Sequence, residues 1–308
     1  MIKSSEGEQA RLRRLHTIFV QYPRFAKLLT EMRRVHTEAD LLIEPLCMMV
    51  TGESGVGKST LIAEYTKDWP RCDLEEGVRV PVLKAEVPLP ATISALATQL
   101  LRALGIQNPG TGTIEHRRGR LVWMLRKCGV RLVILDEFQH LVERGTSNRI
   151  QIVADWIKSV INETKIPFIL VGMPSAKSVL EHSAQLARRF RIRREIVPFD
   201  WIQRPAEFEK LLKLLDDQLP LSSRSGLAST EIAPRLYLAT KGNFAILTTL
   251  LRDSGRTALL QGCARLELTH LAESYDSLLA EELALRANPF RIANREIEKW
   301  MAAMKENS

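Results

Sequence analysis

The sequence has 308 residues, 45% of them hydrophobic, which suits one large domain or two closely joined ones with a buried core. It carries 44 Lys and Arg against 36 Asp and Glu, a net charge of +8 that favours a polyanionic partner without identifying it. No apolar stretch reaches the roughly 18 residues of a membrane span, and the polar start is unlike a signal peptide. We therefore expect a cytoplasmic protein with four reduced cysteines and no membrane partner.

Two helices are predicted over residues 8–45, separated at Tyr22-Pro23. In the second helix, apolar residues recur at i, i+3, i+4 and i+7 and so share one face. Such a helix is typical of a packing element with a solvated basic face. The alternative is a segment that covers an adenine base, using Tyr22 or Phe19.

A phosphate-binding loop follows the first predicted strand, residues 46–50. Residues 52–59 fit the pattern G-x-x-x-x-G-K-[ST] without a mismatch, and a helical pattern follows them. Its glycines let backbone N–H groups point inward, so that polyphosphate is held mainly by main chain and by the helix N-terminus. The predicted nucleotide-binding residues are Gly52, Glu53, Ser54, Gly55, Val56, Gly57, Lys58 and Ser59.

Two side chains of this loop have specific roles. Lys58 supplies a point charge to the β- and γ-phosphates of ATP, and the Ser59 hydroxyl is a ligand for Mg²⁺. Thr60 is expected to be a helix residue close to the nucleotide.

The stretch between residues 78 and 128 predicts a strand, two helices and a loop. Pro81 marks either the start of the strand at 78–87 or an edge position in the sheet. Pro90 is expected to open the first helix, and residues 105–113 form a loop. Arg117, Arg118 and Arg120 stand ahead of an apolar helix at 121–128, where they would suit a phosphate backbone or a solvated surface.

Residues 132–135 predict a strand buried on both faces, with two carboxylates directly after it. Open α/β sheets place their chemistry at this carboxyl edge. Asp136 is expected to hold Mg²⁺ opposite Ser59. Glu137 is placed to orient and deprotonate the water that attacks the γ-phosphate.

A further buried strand at 166–172 leads into a loop in which Ser175 is the nearby polar group that could sense the γ-phosphate. The next helix ends in arginines. Arg189, directly before Phe190, is the first choice for an arginine finger that reaches a neighbouring subunit, and Arg188 the second. The alternative is a basic helix end that complements the helix dipole.

The sequence from Trp201 onward is helical and contains no strand candidate. We therefore predict an α/β fold with an N-terminal helical segment at 1–45, a nucleotide-binding core at 46–200, a helical lid at 201–280 and a tail at 281–308. Residues 241–244 either close over the bound nucleotide or simply cap helices.

The order of these parts resembles the AAA+ ATPases, and three runs narrow the resemblance to the TniB/TnsC transposition regulators, which are related to IstB and MuB-type ATPases. The runs are residues 52–59, Asp-Glu-Phe-Gln-His-Leu at 136–141 and Gln-Leu-Ala-Arg-Arg-Phe at 185–190, and the resemblance extends from about residue 15 to 290. No arginine stands at 241–243, where a lid arginine would contact the γ-phosphate.

This resemblance implies an ATPase that assembles as a ring or helical filament around duplex DNA. Such proteins join a TniQ-like target selector to a DDE transposase of the TniA/TnsB type, ATP hydrolysis disassembles the filament, and CRISPR-associated transposons use members of the group. Lys58, Ser59, Asp136 and Glu137 would keep the roles given above, and Arg189 or Arg188 would act in trans. DNA contact without base readout needs basic residues facing the pore. The candidates are Arg117, Arg118, Arg120, Arg144 and Arg149.

Three other interpretations stay open. A helicase loader or IstB-like ATPase would share every nucleotide residue and differ in its partner. A P-loop kinase would transfer phosphate to a small molecule, although Glu137 after Asp136 favours water activation. A nucleotide-gated scaffold would bind ATP and hardly hydrolyse it.

Overall fold

Five parallel strands form the central sheet in a computed structural model of the protein, which describes residues 6–75, 77–143, 146–283 and 287–306. A separate antiparallel hairpin joins two short strands. The strands are β1 (Met48–Gly52), β2 (Cys72–Leu74), β3 (Gly77–Arg79), β4 (Val82–Glu86), β5 (Leu132–Asp136), β6 (Phe168–Gly172) and β7 (Ile192–Ile196).

The order of the central sheet is β4-β5-β6-β1-β7, and every neighbouring pair in it is parallel. All five carboxyl ends therefore lie at one edge, and β6 separates the phosphate-loop strand from the acid strand. The three central strands β1, β5 and β6 are buried throughout, as their continuous apolar sequences predict. Strand β4 begins directly after Pro81 and lies at the edge of the sheet, so both expectations drawn from that proline are confirmed.

The other regular elements of the chain are helical. They are α1 (Glu6–His16), α2 (Pro23–Thr37), α3 (Lys58–Lys67), α4 (Ile93–Ala103), α5 (Ile114–Lys127), α6 (His140–Glu143), α7 (Ser147–Thr164), α8 (Lys177–His182), α9 (Ala184–Arg189), α10 (Pro205–Gln218), α11 (Ile232–Thr240), α12 (Phe244–Leu260), α13 (Leu268–Leu278), α14 (Ala280–Leu283) and α15 (Asn294–Glu306). Two 3-10 turns add Ala39–Leu41 and Pro174–Ala176. The predicted α/β class with a parallel sheet is thus confirmed.

The chain divides into two compact units. One is Arg24–Val197, and the other combines Met1–Pro23 with Pro198–Ser308. The N-terminal segment that the sequence groups at 1–45 is therefore shared between them. The boundary at Val197 lies close to the predicted end of the core at 200.

Two helix starts differ from the sequence-based prediction. Helix α4 begins at Ile93 and not at Pro90, because the Thr92 side chain caps it by accepting from the Ala95 N–H at 3.1 Å. Helix α5 begins at Ile114, where Thr113 caps it by accepting from the His116 N–H at 3.2 Å. The predicted start at 121 was wrong, and the arginine cluster lies inside the helix rather than at its boundary.

The helical unit is organised around buried polar contacts and an aromatic cluster. The Asp216 carboxylate accepts from three consecutive backbone N–H groups, of Ser225, Gly226 and Leu227. Tyr22 packs edge-on against Phe199, with ring centroids 4.8 Å apart, and is buried within this unit. This packing explains Tyr22 without an adenine base.

Residues 241–244 join α11 to α12 by capping. Lys241 ends α11 in a left-handed conformation, and the Asn243 side chain accepts from the first N–H groups of α12. A Cβ on Gly242 would lie 1.7 Å from the Phe199 carbonyl oxygen, so only glycine fits there. The capping interpretation accounts for the four residues.

All four cysteines are free, and Cys47 and Cys128 are buried. Burial raises the pKa of the Cys47 thiol to about 12, so it is an inert core group. Among the described residues, no helix is both long and apolar enough to cross a membrane.

Candidate nucleotide-binding site

The loop between β1 and α3 has the backbone of a phosphate cradle. Gly55 and Gly57 have φ values of 77° and 105°, which side chains rarely tolerate. A Cβ on Gly52 would lie 2.5 Å from the Ile196 carbonyl oxygen. No side chain caps the N-terminus of α3, so its first N–H groups are available to an anion.

Lys58 is buried at the first position of α3. Its ammonium donates to the carbonyl oxygens of Gly52 at 2.8 Å and Glu53 at 2.9 Å. Burial lowers the pKa of Lys58, and the nearby carboxylates of Glu137 and Asp136 oppose that shift. The ammonium is thus held inside the loop by groups that a phosphate oxygen can replace.

Asp136 and Glu137 end β5 at the carboxyl edge, as predicted. Asp136 is only 3% exposed, and burial raises the pKa of its carboxyl group. The Glu137 N–H donates to it at 3.0 Å, and the Lys84 ammonium lies 3.8 Å away. Glu137 has a φ of 54°, so the chain turns sharply at the residue that carries the second carboxylate.

Gln139 connects this acid pair to the loop after β6, a link that sequence reasoning missed. Its side-chain amide donates to the Glu137 carboxylate, and its carbonyl oxygen accepts from the Met173 N–H at 2.9 Å. A Cβ on Gly172 would lie 2.7 Å from that oxygen. The buried glutamine therefore fixes the orientation of Glu137 relative to β6.

Ser175, the predicted sensing residue, is exposed in the 3-10 turn after β6, and its carbonyl accepts from the Ser178 hydroxyl at 2.8 Å. Gln139 instead provides a polar contact between this loop and the acid pair. No sequence signal identified Gln139, because its role depends on β6 lying between β1 and β5.

The donor set of the site fits a magnesium nucleotide. Ser59 lies in the first turn of α3, and Asp136 offers a buried carboxylate at the same sheet edge. Both are hard oxygen ligands, which Mg²⁺ prefers alongside phosphate oxygens and water. The described residues contain no cluster of three or more His, Cys, Asp or Glu that could hold a metal alone.

The two candidate finger arginines lie away from this site. Arg188 and Arg189 end α9 just before β7, so they lie at the amino edge of the parallel sheet, opposite the carboxyl edge. Arg188 is exposed. The Arg189 side chain is 10% exposed, and its Nη2 lies 3.1 Å from a carboxylate oxygen of Glu44. Its buried Nη1 has no hydrogen-bond partner among the described residues.

The predicted DNA contacts in α5 all have partners within the chain. Arg117 donates to the Ser94 and Thr98 hydroxyls at 2.6 and 3.1 Å, and Arg118 pairs with Glu163 at 2.6 Å. Arg120 donates to carbonyl oxygens of the loop before α5. Arg149 is exposed in the first turn of α7, and Arg144 lies outside the described residues.

A second basic group surrounds a cleft of about 430 Å³ between the β2–β3 hairpin and the ends of α4 and α5. Its cations are Arg71, Arg79 and Lys127. Lys127 lies 4.7 Å from the ring centre of the exposed Trp123, and Arg71 lies 3.7 Å from a carboxylate oxygen of Asp73. Among the described residues, the cations of this cleft have fewer hydrogen-bond partners than the arginines of α5.

Comparisons with known proteins agree with this geometry. Residues 11–197 match a family model described as "Bacterial TniB protein", while no curated protein sequence matches the chain. The structure of the Aeropyrum pernix ORC1 protein in complex with DNA has a TM-score of 0.61 at 15% identity, covering 96% of this chain and 81% of that one.

Two further solved structures are similar. The Aeropyrum pernix ORC2 protein, in ADPNP-ADP complexes, gives a TM-score of 0.59 at 17% identity over 89% of this chain and 75% of that one. Cdc6p from Pyrobaculum aerophilum gives 0.61 at 14% identity over 87% and 71%. At these identities the likeness concerns the fold alone, which is that of AAA+ P-loop NTPases.

Proposed function

Because this chain belongs to the TniB family of bacterial proteins, we propose that it is an ATP-dependent regulator of transposition that assembles on duplex DNA. In this proposal it joins a TniQ-like target selector to a DDE transposase of the TniA/TnsB type in the cytoplasm, and ATP hydrolysis disassembles the array. The observation that carries the proposal is the separation of a nucleotide site at one sheet edge from an arginine pair at the other.

The residues of the carboxyl edge account for ATP hydrolysis. Lys58 exchanges its two carbonyl partners for phosphate oxygens, and the loop N–H groups hold the remaining charge. Ser59 and Asp136 would hold Mg²⁺, which when bound neutralises charge on the phosphates.

Glu137 takes a proton from the attacking water, whose oxygen bonds to the γ-phosphorus as the bond to the β–γ bridging oxygen breaks. The products are ADP and inorganic phosphate. Gln139 holds the Glu137 carboxylate through its amide and keeps it aligned with the loop after β6. These assignments rest on the contacts of the described residues and on the known needs of phosphoryl transfer.

An arginine from the next copy completes the site in trans. Arg189 and Arg188 end α9 at the amino edge of the sheet, so they lie at the edge opposite the nucleotide site of their own copy. A guanidinium there supplies charge to the transition state of a neighbouring nucleotide. Nucleotide binding and assembly are then coupled.

Assembly on DNA is the direct test of this function. Purified protein is imaged by electron microscopy with a non-cleavable ATP analogue and duplex DNA, and we expect rings or helical filaments around the duplex. Lys58→Ala serves as the control that should not assemble. A wild-type protein that remains monomeric under these conditions would overturn the proposal.

Alanine variants of two basic groups are compared to identify the residues that contact DNA. The α5 group, Arg117, Arg118 and Arg120, was predicted from sequence, whereas the cleft group, Arg71, Arg79 and Lys127, has fewer hydrogen-bond partners among the described residues. If one of these groups contacts DNA, replacing its three residues with alanine should weaken binding to every DNA sequence alike. The salt dependence of DNA binding should also decrease. Unchanged binding in the α5 variant rejects the sequence-based assignment.

A further inference from the structure

Residues 39–44 expose three consecutive apolar side chains, and we call them the apolar segment. Leu41, Leu42 and Ile43 are 79%, 45% and 93% exposed. No other run of three adjacent large apolar residues is exposed within the described parts of the chain. Single exposed apolar residues are ordinary, but a contiguous group indicates a surface that something covers.

The apolar segment is fixed to the core at both ends. Ala39 and Pro45 are buried on either side of the exposed run. Asp40 pairs with Arg131 at 2.7 Å, and Glu44 pairs with Arg189 at 3.1 Å. The Cys47 N–H then donates to the Arg189 carbonyl oxygen at 3.1 Å. The exposure therefore belongs to an ordered segment and not to a loose loop.

We infer that a second copy of this chain covers the apolar segment, as part of the contact through which Arg189 reaches the neighbouring nucleotide. This inference rests on the proposed function, because it uses the arginine in trans. The segment and Arg189 share one surface through the Glu44 ion pair and the Cys47 hydrogen bond. A neighbour that brings its phosphates to Arg189 must cover the side chains beside it.

The charges of this surface agree with such an exchange. Arg189 is nearly buried, yet its Nη1 has no partner among the described residues and its one carboxylate partner, Glu44, is exposed. A neighbouring phosphate can compete with the exposed Glu44 carboxylate for Nη2 of the guanidinium. The apolar side chains provide contact area around that exchange, as the water-excluding part of an interface does.

The test is assembly of the full chain with a non-cleavable ATP analogue and duplex DNA, measured by sedimentation over a range of protein concentrations. The variant is Leu41→Ser with Ile43→Ser, and the matched control is Ile114→Ser with Ile152→Ser, which are also exposed apolar positions. We expect the first variant to need at least about tenfold more protein for assembly, and the control to behave as wild type. Thermal unfolding and binding of the analogue by the unassembled protein verify that both variants are folded.

The outcomes separate this inference from the proposed function. If wild type assembles and Leu41→Ser with Ile43→Ser assembles equally well, the inference is overturned and the proposed function stands. If wild type does not assemble, both are overturned. Flotation with vesicles of phosphatidylethanolamine and phosphatidylglycerol tests a lipid occupant. Flotation of wild type but not of the variant would also overturn the inference.

Discussion

The two edges of the central sheet present opposite chemistry. At the carboxyl edge, Lys58, Asp136 and Glu137 are polar groups held in place by backbone and by Gln139. At the amino edge, charges are paired across the chain, as in Arg189 with Glu44, and apolar side chains face outward.

In the proposed assembly, one copy carries two incomplete halves of a site. The carboxyl edge has groups for phosphate, metal and water, and no described arginine of α9 reaches it. The amino edge offers arginines and uncovered apolar area, and its strand ends bear no phosphate cradle. Each edge is explained most simply as the complement of the other in an adjacent copy.

Removing the proposed arginine finger, Arg189, should give the largest loss of turnover. We expect Arg189→Ala to lower kcat for ATP by about 10³-fold, because it removes a charge from the transition state. Arg188→Ala should change kcat less than about threefold, since Arg188 is exposed beside it. Steady-state phosphate release in the presence of duplex DNA measures both, and thermal unfolding controls for the near burial of Arg189. The reverse ranking would make Arg188 the finger.

A smaller loss of turnover should follow from removing the contact that orients Glu137 at the carboxyl edge. Gln139→Ala removes the amide that orients Glu137 and leaves the Met173 N–H without its acceptor. We expect kcat to fall about tenfold, equivalent to about 1.4 kcal/mol, with analogue affinity nearly unchanged.

Ser175→Ala is the matched control for that variant, because Ser175 lies in the same loop and is exposed. Its turnover should equal that of wild type. An equal loss in the two variants would assign the effect to the loop after β6 as a whole and not to the contact of Gln139 with Glu137.

A modest gain is expected at the amino edge from Glu44→Gln. This change removes a carboxylate that competes for Arg189, and an ion pair whose carboxylate is exposed to solvent is worth about 0.2–1 kcal/mol. We expect turnover in the assembled state to rise about threefold. Glu38→Gln breaks an exposed ion pair outside the apolar segment, with Arg34, and should leave turnover unchanged. A fall in turnover with Glu44→Gln would mean that Glu44 positions Arg189 productively.

The prediction with the smallest effect on turnover concerns the dependence of stability on pH. Burial, followed by the positive charge of Arg131, lowers the pKa of His36 to about 4, although Asp40 opposes the shift. The folded state thus binds fewer protons at His36 than the unfolded chain. The free energy of unfolding should therefore fall as pH decreases from about 6.5 to 4, by about 1–3 kcal/mol.

His36→Gln should remove most of this slope while leaving turnover at neutral pH unchanged. Chemical denaturation at several pH values measures it, and the hydrogen bond of His36 to the Tyr65 hydroxyl at 2.9 Å is the packing contact to control for. A slope that persists in the variant would assign the protons to other groups.

The residues of the carboxyl edge could be predicted from the sequence, because phosphate binding requires particular residue types at fixed spacing. The loop at 52–59 and the acids after a buried strand appear where the pattern predicts them, and the parallel sheet follows. The role of Gln139 could not be predicted from the sequence, since it depends on β6 lying between β1 and β5.

The contacts of the α5 arginines, in contrast, could not be predicted from the sequence. Their partners are distant in sequence, with Arg117 contacting Ser94 at a separation of 23 residues and Arg118 contacting Glu163 at 45. A basic cluster has no spacing rule that reveals such contacts. The helix start at Ile114 was available from Thr113 as a cap, but the polar loop before it obscured the boundary.

The most direct test of a site shared between copies is a mixing experiment. Glu137→Gln lacks the base but keeps Arg189, whereas Arg189→Ala lacks the finger but keeps Glu137. Each alone should be nearly inactive in ATP hydrolysis with duplex DNA, and we predict that mixing them in equal amounts restores turnover. Restoration requires that Glu137 of one copy and Arg189 of another form one site. A mixture that co-assembles and stays as inactive as its components would contradict the account.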